Sequence, residues 1–390
     1  MNYQYLVLRV LTLASIVITA NTPCLADETV TELGQLEFPG QVLVLPLTEQ
    51  GGHPKVSVDM GDGKQSVFLV DTGASVNVLD GAIAEALGLE IVGETEIGAP
   101  GGPQIPANIV RAPVAHIGDA TIENAEFVTM DLAKFSGGST QGVLGLGLFR
   151  DYLLTYDYGR NEIRVSRETL SIEEPGVMIY NDESGLIEVD MDVAGTTLAT
   201  HVDTGSMVGF TLPIELQASL RLKPSVKRAT KARMVGGARA VQIEQLDGDI
   251  VFAGSSYKDP TVGFMDPSPG YGNVGSRVLG DFVMSVDQQN HLIRFKKSAP
   301  RSANAVGNAP RRLGVQFRGM PGGVALTVGY VEPDSLGESS GLLPGDVLLT
   351  LNDKASEEYD MATLGALFRS AEPLQIEIDR DGQMQTIEIQ

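Results

Sequence analysis

Leu69-Val70-Asp71-Thr72-Gly73-Ala74-Ser75 is the stretch on which the reading of this sequence turns, and it has a counterpart at His201-Val202-Asp203-Thr204-Gly205-Ser206-Met207. Leu69 and Val70 are apolar, so the chain is expected to arrive as a buried strand and to deliver the Asp71 carboxyl where water is scarce. Gly73 and Gly205 lack a Cβ, which permits a sharp turn and close approach of a second backbone. Thr72 and Thr204 carry hydroxyls able to bond across from one loop to the other. One such loop is inert by itself. Two carboxylates brought close together cannot both ionise cheaply, so they share a proton. The ionised carboxylate then activates a water as general base, and the protonated one hydrogen-bonds a carbonyl.

The flanking sequence is duplicated in the same order. Val58-Asp59-Met60, a turn at Gly61-Asp62-Gly63 and a strand precede the first Asp-Thr-Gly; Val189-Asp190-Met191, a turn at Ala194-Gly195 and a strand precede the second. Short helical patterns follow, Ile83 to Leu89 and Ile214 to Leu222. Gly-rich hairpin tips come next, at Gly98 to Gly102 and at Val235-Gly236-Gly237. Two apolar-apolar-Gly elements then appear, Val143-Leu144-Gly145 and Val278-Leu279-Gly280. Their glycines lie 74 and 77 residues beyond the respective Asp, counting 145 − 71 and 280 − 203. Each leads into a closing strand, Leu153 to Asp157 or Val283 to Asp287, and a hairpin. An ordered repeat of this kind predicts two homologous β-rich lobes, 35–170 and 175–297.

These loops resemble the catalytic loops of retropepsins, which use Asp-Thr-Gly-Ala, and Val143-Leu144-Gly145 resembles the element that family places behind the loop. The resemblance covers about 35–297 in two copies, with both lobes in tandem as in pepsin-like bilobal enzymes. It implies Asp71 and Asp203 as the catalytic dyad, with Thr72, Gly73, Ser75, Thr204, Gly205 and Ser206 supporting the active loops. It also implies flap hairpins tipped by Gly101, Gly102, Gly236 and Gly237. Because both lobes lie in one chain, a monomer suffices. Ser206 departs from the retropepsin pattern; its hydroxyl is expected to donate to Asp203 and favour the ionised form there. His201 stands where the family has an apolar residue and is expected to pack against the lobe or a polar neighbour.

Ser298 to Pro310 is rich in Ala, Ser, Asn and Pro and reads as a linker. Beyond it, Leu313-Gly314-Val315, a run Gly345-Asp346-Val347-Leu348-Leu349-Thr350-Leu351-Asn352, a helical pattern from Tyr359 to Phe368 and two closing strands resemble a PDZ domain over 311–390. That resemblance implies a carboxylate loop at Leu313, Gly314 and Val315, where a peptide C-terminus adds to a sheet edge. The expected fold class is therefore mainly β: two retropepsin-like β-barrel lobes forming one bilobal unit, plus a C-terminal α+β PDZ domain.

Composition narrows the function. The chain has 390 residues and a formal charge of −22, which repels nucleic acid and anionic lipid. Arg9 followed by the apolar run Val10–Ala20 and Cys24-Leu25-Ala26 reads as an export signal over 1–26. Later stretches are not long and apolar enough to span a bilayer, so no mature transmembrane segment is expected, and an extracytoplasmic, periplasmic location is. The single cysteine and the scattered histidines give no disulfide framework, no zinc spacing and no expected cofactor. The expectation is an aspartic endopeptidase acting on peptides or unfolded proteins, its PDZ module tethering substrates or regulating the cleft. The competing expectation is a non-catalytic peptide-binding scaffold that retains the protease fold.

Overall fold

The computed structural model describes residues 8–14, 32–48, 53–100, 102–136, 139–224, 228–266, 268, 270–298, 313, 315–318, 326–331, 335–359, 364, 367–368, 373–380 and 382–389. The export signal expected over 1–26 lies outside these residues apart from an extended stretch at Leu8–Ala14. The linker expected over 298–310 lies outside them after Ser298. The chain divides into two compact units, one of Arg9–Ala299 and one of Pro300–Gln390 with Met1–Leu8.

In the larger unit, the strand Gln65–Asp71 runs parallel to Gly142–Gly145, with Asp71 opposite Gly145. Parallel strands inside a sheet are covered on both faces and read as continuous apolar runs. Accordingly Gly142, Val143, Leu144 and Gly145 are all buried, as are the last four residues of the preceding strand. These two strands belong to a ring that continues through Lys55–Asp59, Ile105–Ile117, Ala120–Met130 and Val78–Asp80 and closes on itself, a six-stranded barrel.

The second half repeats the central device. Thr196–Asp203 runs parallel to Gly272–Gly275, with Asp203 opposite Gly275. This corrects the spacing read from the sequence: the counterpart of Val143-Leu144-Gly145 is Asn273-Val274-Gly275, and Val278-Leu279 lies in the short helix Ser276–Leu279 that follows. The structural separations are 145 − 71 = 74 and 275 − 203 = 72. The upstream correspondence shifts as well. Lys55 pairs with Leu69 and Glu188 with His201, so Val56 matches Val189 and Val58 matches Met191. The two Val-Asp-Met triplets are not equivalent because the hairpins differ in loop length, five residues (60–64) in the first and Ala194-Gly195 in the second. The expected helix from Ile214 to Leu222 shortens to a 3-10 turn at Ile214–Leu216.

A third, six-stranded sheet draws on both halves. Val42–Pro46, Leu153–Asp157 and Glu162–Ser166 come from one, Val177–Ile179, Phe282–Asp287 and Leu292–Lys297 from the other. Leu153–Asp157 pairs antiparallel with Phe282–Asp287 at its middle, and Thr155 Oγ1 meets Ser285 Oγ at 2.9 Å. One continuous apolar core runs from Leu36 to Phe295 through both halves, and Tyr156 from this sheet is among its largest fully buried side chains.

The smaller unit orders its strands as Val315–Arg318, Thr327–Val331, Val347–Leu351, Leu374–Arg380 and Gln383–Ile389, around its own apolar cluster. Asp346, 1% exposed, receives two 2.7 Å bonds from Arg380 and one from Leu343 N–H at 2.8 Å. Much of the helix expected over 359–368 falls outside the described residues. Among the described residues no helix is long and apolar enough to cross a membrane.

Candidate active site

Both Asp-Thr-Gly loops leave their strands at the same level and meet back to back. Thr72 N–H donates to Thr204 Oγ1 and Thr204 N–H to Thr72 Oγ1, each at 3.0 Å. The hydroxyls reach further across: Thr72 Oγ1 donates to Val202 O at 2.6 Å and Thr204 Oγ1 to Val70 O at 3.0 Å. Every bond in this set crosses between chain segments some 130 residues apart, so the pair of loops is fixed by reciprocal buried hydrogen bonds.

Asp71 and Asp203 are both fully buried. A Cβ placed on Gly73 would lie 2.8 Å from Asp203 Oδ1 and 3.2 Å from Asp71 Oδ1, and one on Gly205 would lie 2.7 Å from Asp71 Cγ. The two carboxyl groups therefore close on the same small volume, and only glycine leaves them room. Asp71 Oδ1 accepts from Gly73 N–H at 2.8 Å and from Gly205 N–H at 3.1 Å. Burial pushes the Asp71 carboxyl well above the ordinary Asp value, and the charge on Asp203 pushes it further; the two N–H bonds oppose this without reversing it.

The surroundings differ between the halves. Asn273 Nδ2 donates to Asp203 Oδ2 at 2.7 Å, whereas the matching position in the first half is Val143. The Ser206 hydroxyl does not make the expected bond to Asp203. Ser206 is buried with its carbonyl accepting from Ser276 N–H at 2.8 Å, so the side-chain donor to this carboxylate is Asn273 instead. Asn273 escapes a reading that seeks the second apolar-apolar-Gly element at 278–280; matching on the distance from Asp to Gly, 72 against 74, would have found it. Ser75 sits half-buried in the bend after the first loop. His53, also missed, brings Nε2 to 2.8 Å from Gly205 O.

His201 is buried. Its Nε2 lies 2.8 Å from Glu188 Oε1, and its ring lies against Tyr271 with centroids 3.6 Å apart and the planes tilted by 33°. Desolvation holds the imidazole below the ordinary His value, although Glu188 works the other way.

The two hairpin tips meet each other. Val235-Gly236 turns the hairpin Arg228–Met234 and Gly237–Gln245, and Ala99 N–H donates to Val235 O at 3.2 Å. Gly236 has φ +83°, and a Cβ there would collide with Pro103 O, so two independent reasons require glycine. Gly102 N–H closes a turn onto Ala99 O at 2.8 Å, and Gly237 opens its strand; Gly101 lies outside the described residues. Val235 is buried in the same apolar cluster as Leu69, Ala74, Val76 and Ile97, the residues around the Asp71 loop and the first hairpin.

In the smaller unit Leu313 is buried and its carbonyl accepts from Gly337 N–H at 2.7 Å; Val315 begins an edge strand; Gly314 lies outside the described residues. Among the described residues no group of acidic, His or Cys side chains is arranged to hold a metal ion.

A family model described as Aspartyl protease matches residues 56–148, which contain Asp71 and Gly145 but not Asp203. No curated protein matches the chain.

Proposed function

We propose that this protein is an aspartic endopeptidase in which Asp71 and Asp203 form a single catalytic dyad within a bilobal, retropepsin-like unit. The observation that carries the reading is the convergence of two fully buried carboxyl groups on one point, held there by the reciprocal threonine bonds. Similarity of residues 56–148 to aspartyl proteases supports the chemistry for the first half.

The asymmetry assigns the roles. Asn273 stabilises negative charge on Asp203, while burial and that charge keep a proton on Asp71. In the reaction, Asp203 takes a proton from a water as its oxygen attacks the peptide carbonyl carbon, and Asp71 hydrogen-bonds the carbonyl oxygen. Collapse of the tetrahedral adduct breaks the C–N bond, and the leaving nitrogen takes a proton from the dyad. Neither a metal nor a covalent intermediate enters this scheme.

The same reading extends to the rest of the chain. Peptides and unfolded proteins are the proposed substrates, export to an extracytoplasmic space is the proposed destination, and 311–390 is proposed as a PDZ module that tethers substrate or regulates access. Its edge strand Val315–Arg318 supports peptide addition there.

The test is hydrolysis of a random peptide library with and without pepstatin. Asp71→Asn and Asp203→Asn are each expected to lower the rate by at least about 100-fold, the usual scale of general acid–base catalysis. Undiminished hydrolysis by either variant removes the dyad mechanism, and a folded wild type with no pepstatin-sensitive activity leaves the scaffold alternative.

A further inference from the structure

Arg239 is a buried cation with no anionic partner among the described residues. It lies on the strand Gly237–Gln245, where burial alternates and Arg239 and Val241 face inward while Ala240 faces out. Only 7% of Arg239 is exposed. Its Nη2 donates to Pro100 O on the opposite hairpin tip, and its Nη1 lies 3.9 Å from Met265 Sδ. Among the described residues no carboxylate comes within ion-pair distance of it.

The location ties this residue to the candidate site. Its hairpin joins, through Val235, the apolar cluster that also holds Leu69, Ala74 and Val76 around the Asp71 loop, and Ala99 N–H of the opposite tip donates to Val235 O at 3.2 Å. An isolated buried charge is expensive, and an uncharged carbonyl and a thioether offset little of that cost. Desolvation holds the guanidinium pKa below the ordinary arginine value. Tyr271 offers no compensating charge, since burial raises its phenol and keeps it neutral. The bond from Arg239 to Pro100 O joins the two hairpin tips, and parting of the tips would break it. That event frees a planar donor fork suited to a carboxylate.

We propose that Arg239 is a specificity-determining residue, pairing with an acidic side chain of the peptide substrate as the hairpins part. The proposal rests on the proteolytic reading and adds to it a substrate class. The net charge of −22 makes the selectivity diagnostic: the long-range field of this protein repels acidic peptides, so a preference for them must arise from a local cation.

The experiment uses the full chain and peptides with both termini blocked, in pairs that differ only by Glu against Gln at each position. Cleavage is read as kcat/KM and binding by fluorescence anisotropy. Wild type is expected to favour Glu at one position by about tenfold or more. Arg239→Gln is expected to erase that ratio, and Arg239→Lys to retain part of it. If peptides are cleaved with the same Glu/Gln ratio by wild type and Arg239→Gln, the specificity proposal fails while proteolysis stands. If nothing is cleaved but Glu-selective binding is lost in Arg239→Gln, the proposal stands and proteolysis fails. A wild type with no Glu preference in either readout overturns the proposal without any variant, so a poorly folded Arg239→Gln does not protect it.

Discussion

Asp71 shows how burial becomes a measurable pH dependence. Its carboxyl is raised above the ordinary value near 3.9, first by desolvation and then by the Asp203 charge. A raised acid binds a proton in the folded state that the unfolded state has already released. Stability is therefore full below about pH 4, the unfolded value, and declines as pH rises toward the raised folded value. Asp71→Asn removes the titration. Its melting temperature is expected to exceed that of wild type by a clear margin at pH 7 and by little at pH 3, measured by thermal unfolding across that range. A constant difference at all pH values would mean that Asp71 is not held protonated by the fold. Catalysis follows the same sign, since a dyad that needs one proton loses activity as pH passes the raised value.

Two strand ends and their threonines form the element on which the site depends. Each parallel pair, Gln65–Asp71 beside Gly142–Gly145 and Thr196–Asp203 beside Gly272–Gly275, aims one loop; the threonine set then fixes the loops against each other. Thr204→Val keeps the shape and deletes the hydroxyl. It strands the buried Thr72 N–H and removes one of two side-chain donors to Val70 O, the Tyr156 hydroxyl at 3.5 Å being the other. A stranded buried donor costs about 1–3 kcal/mol and a lost hydrogen bond about 1 kcal/mol, so a loss of about 2–4 kcal/mol in chemical denaturation is expected, with hydrolysis falling more than the folded fraction does. Unchanged stability would show that the loops are held by something other than these bonds.

Among the described residues, the largest apolar cluster of each unit is built from that unit's own residues. One runs from Leu36 to Phe295 and the other from Leu313 to Ile389. The larger includes residues of the shared six-stranded sheet, which ties both halves into the one compact unit Arg9–Ala299. A chain ending at Ala299 is therefore expected to unfold in one cooperative transition with its peptide hydrolysis retained, as read by circular dichroism and the library assay. A molten, non-cooperative product would show that the C-terminal residues complete the larger core.

The paired Asp-Thr-Gly loops, their apolar lead-in at Leu69-Val70 and the position of Gly145 were legible in the sequence, because buried strands and Cβ-free turns impose residue types that survive as a local pattern. The same local pattern misled at 278–280, where an apolar-apolar-Gly run belongs to a helix and the true partner of Asp203's strand contains a polar Asn273. Pairing across a sheet is a distant contact, and only the register of Gly275 on Asp203 decides it. The burial of Arg239 was equally hidden, since nothing near it in the chain marks a charge as buried. The sequence by itself determined which two carboxyl groups stand at the Cβ-free turns ending the paired strands, through composition at the turn. The tertiary structure alone decided which neighbours tune them, because desolvation and charge act through space and not along the backbone.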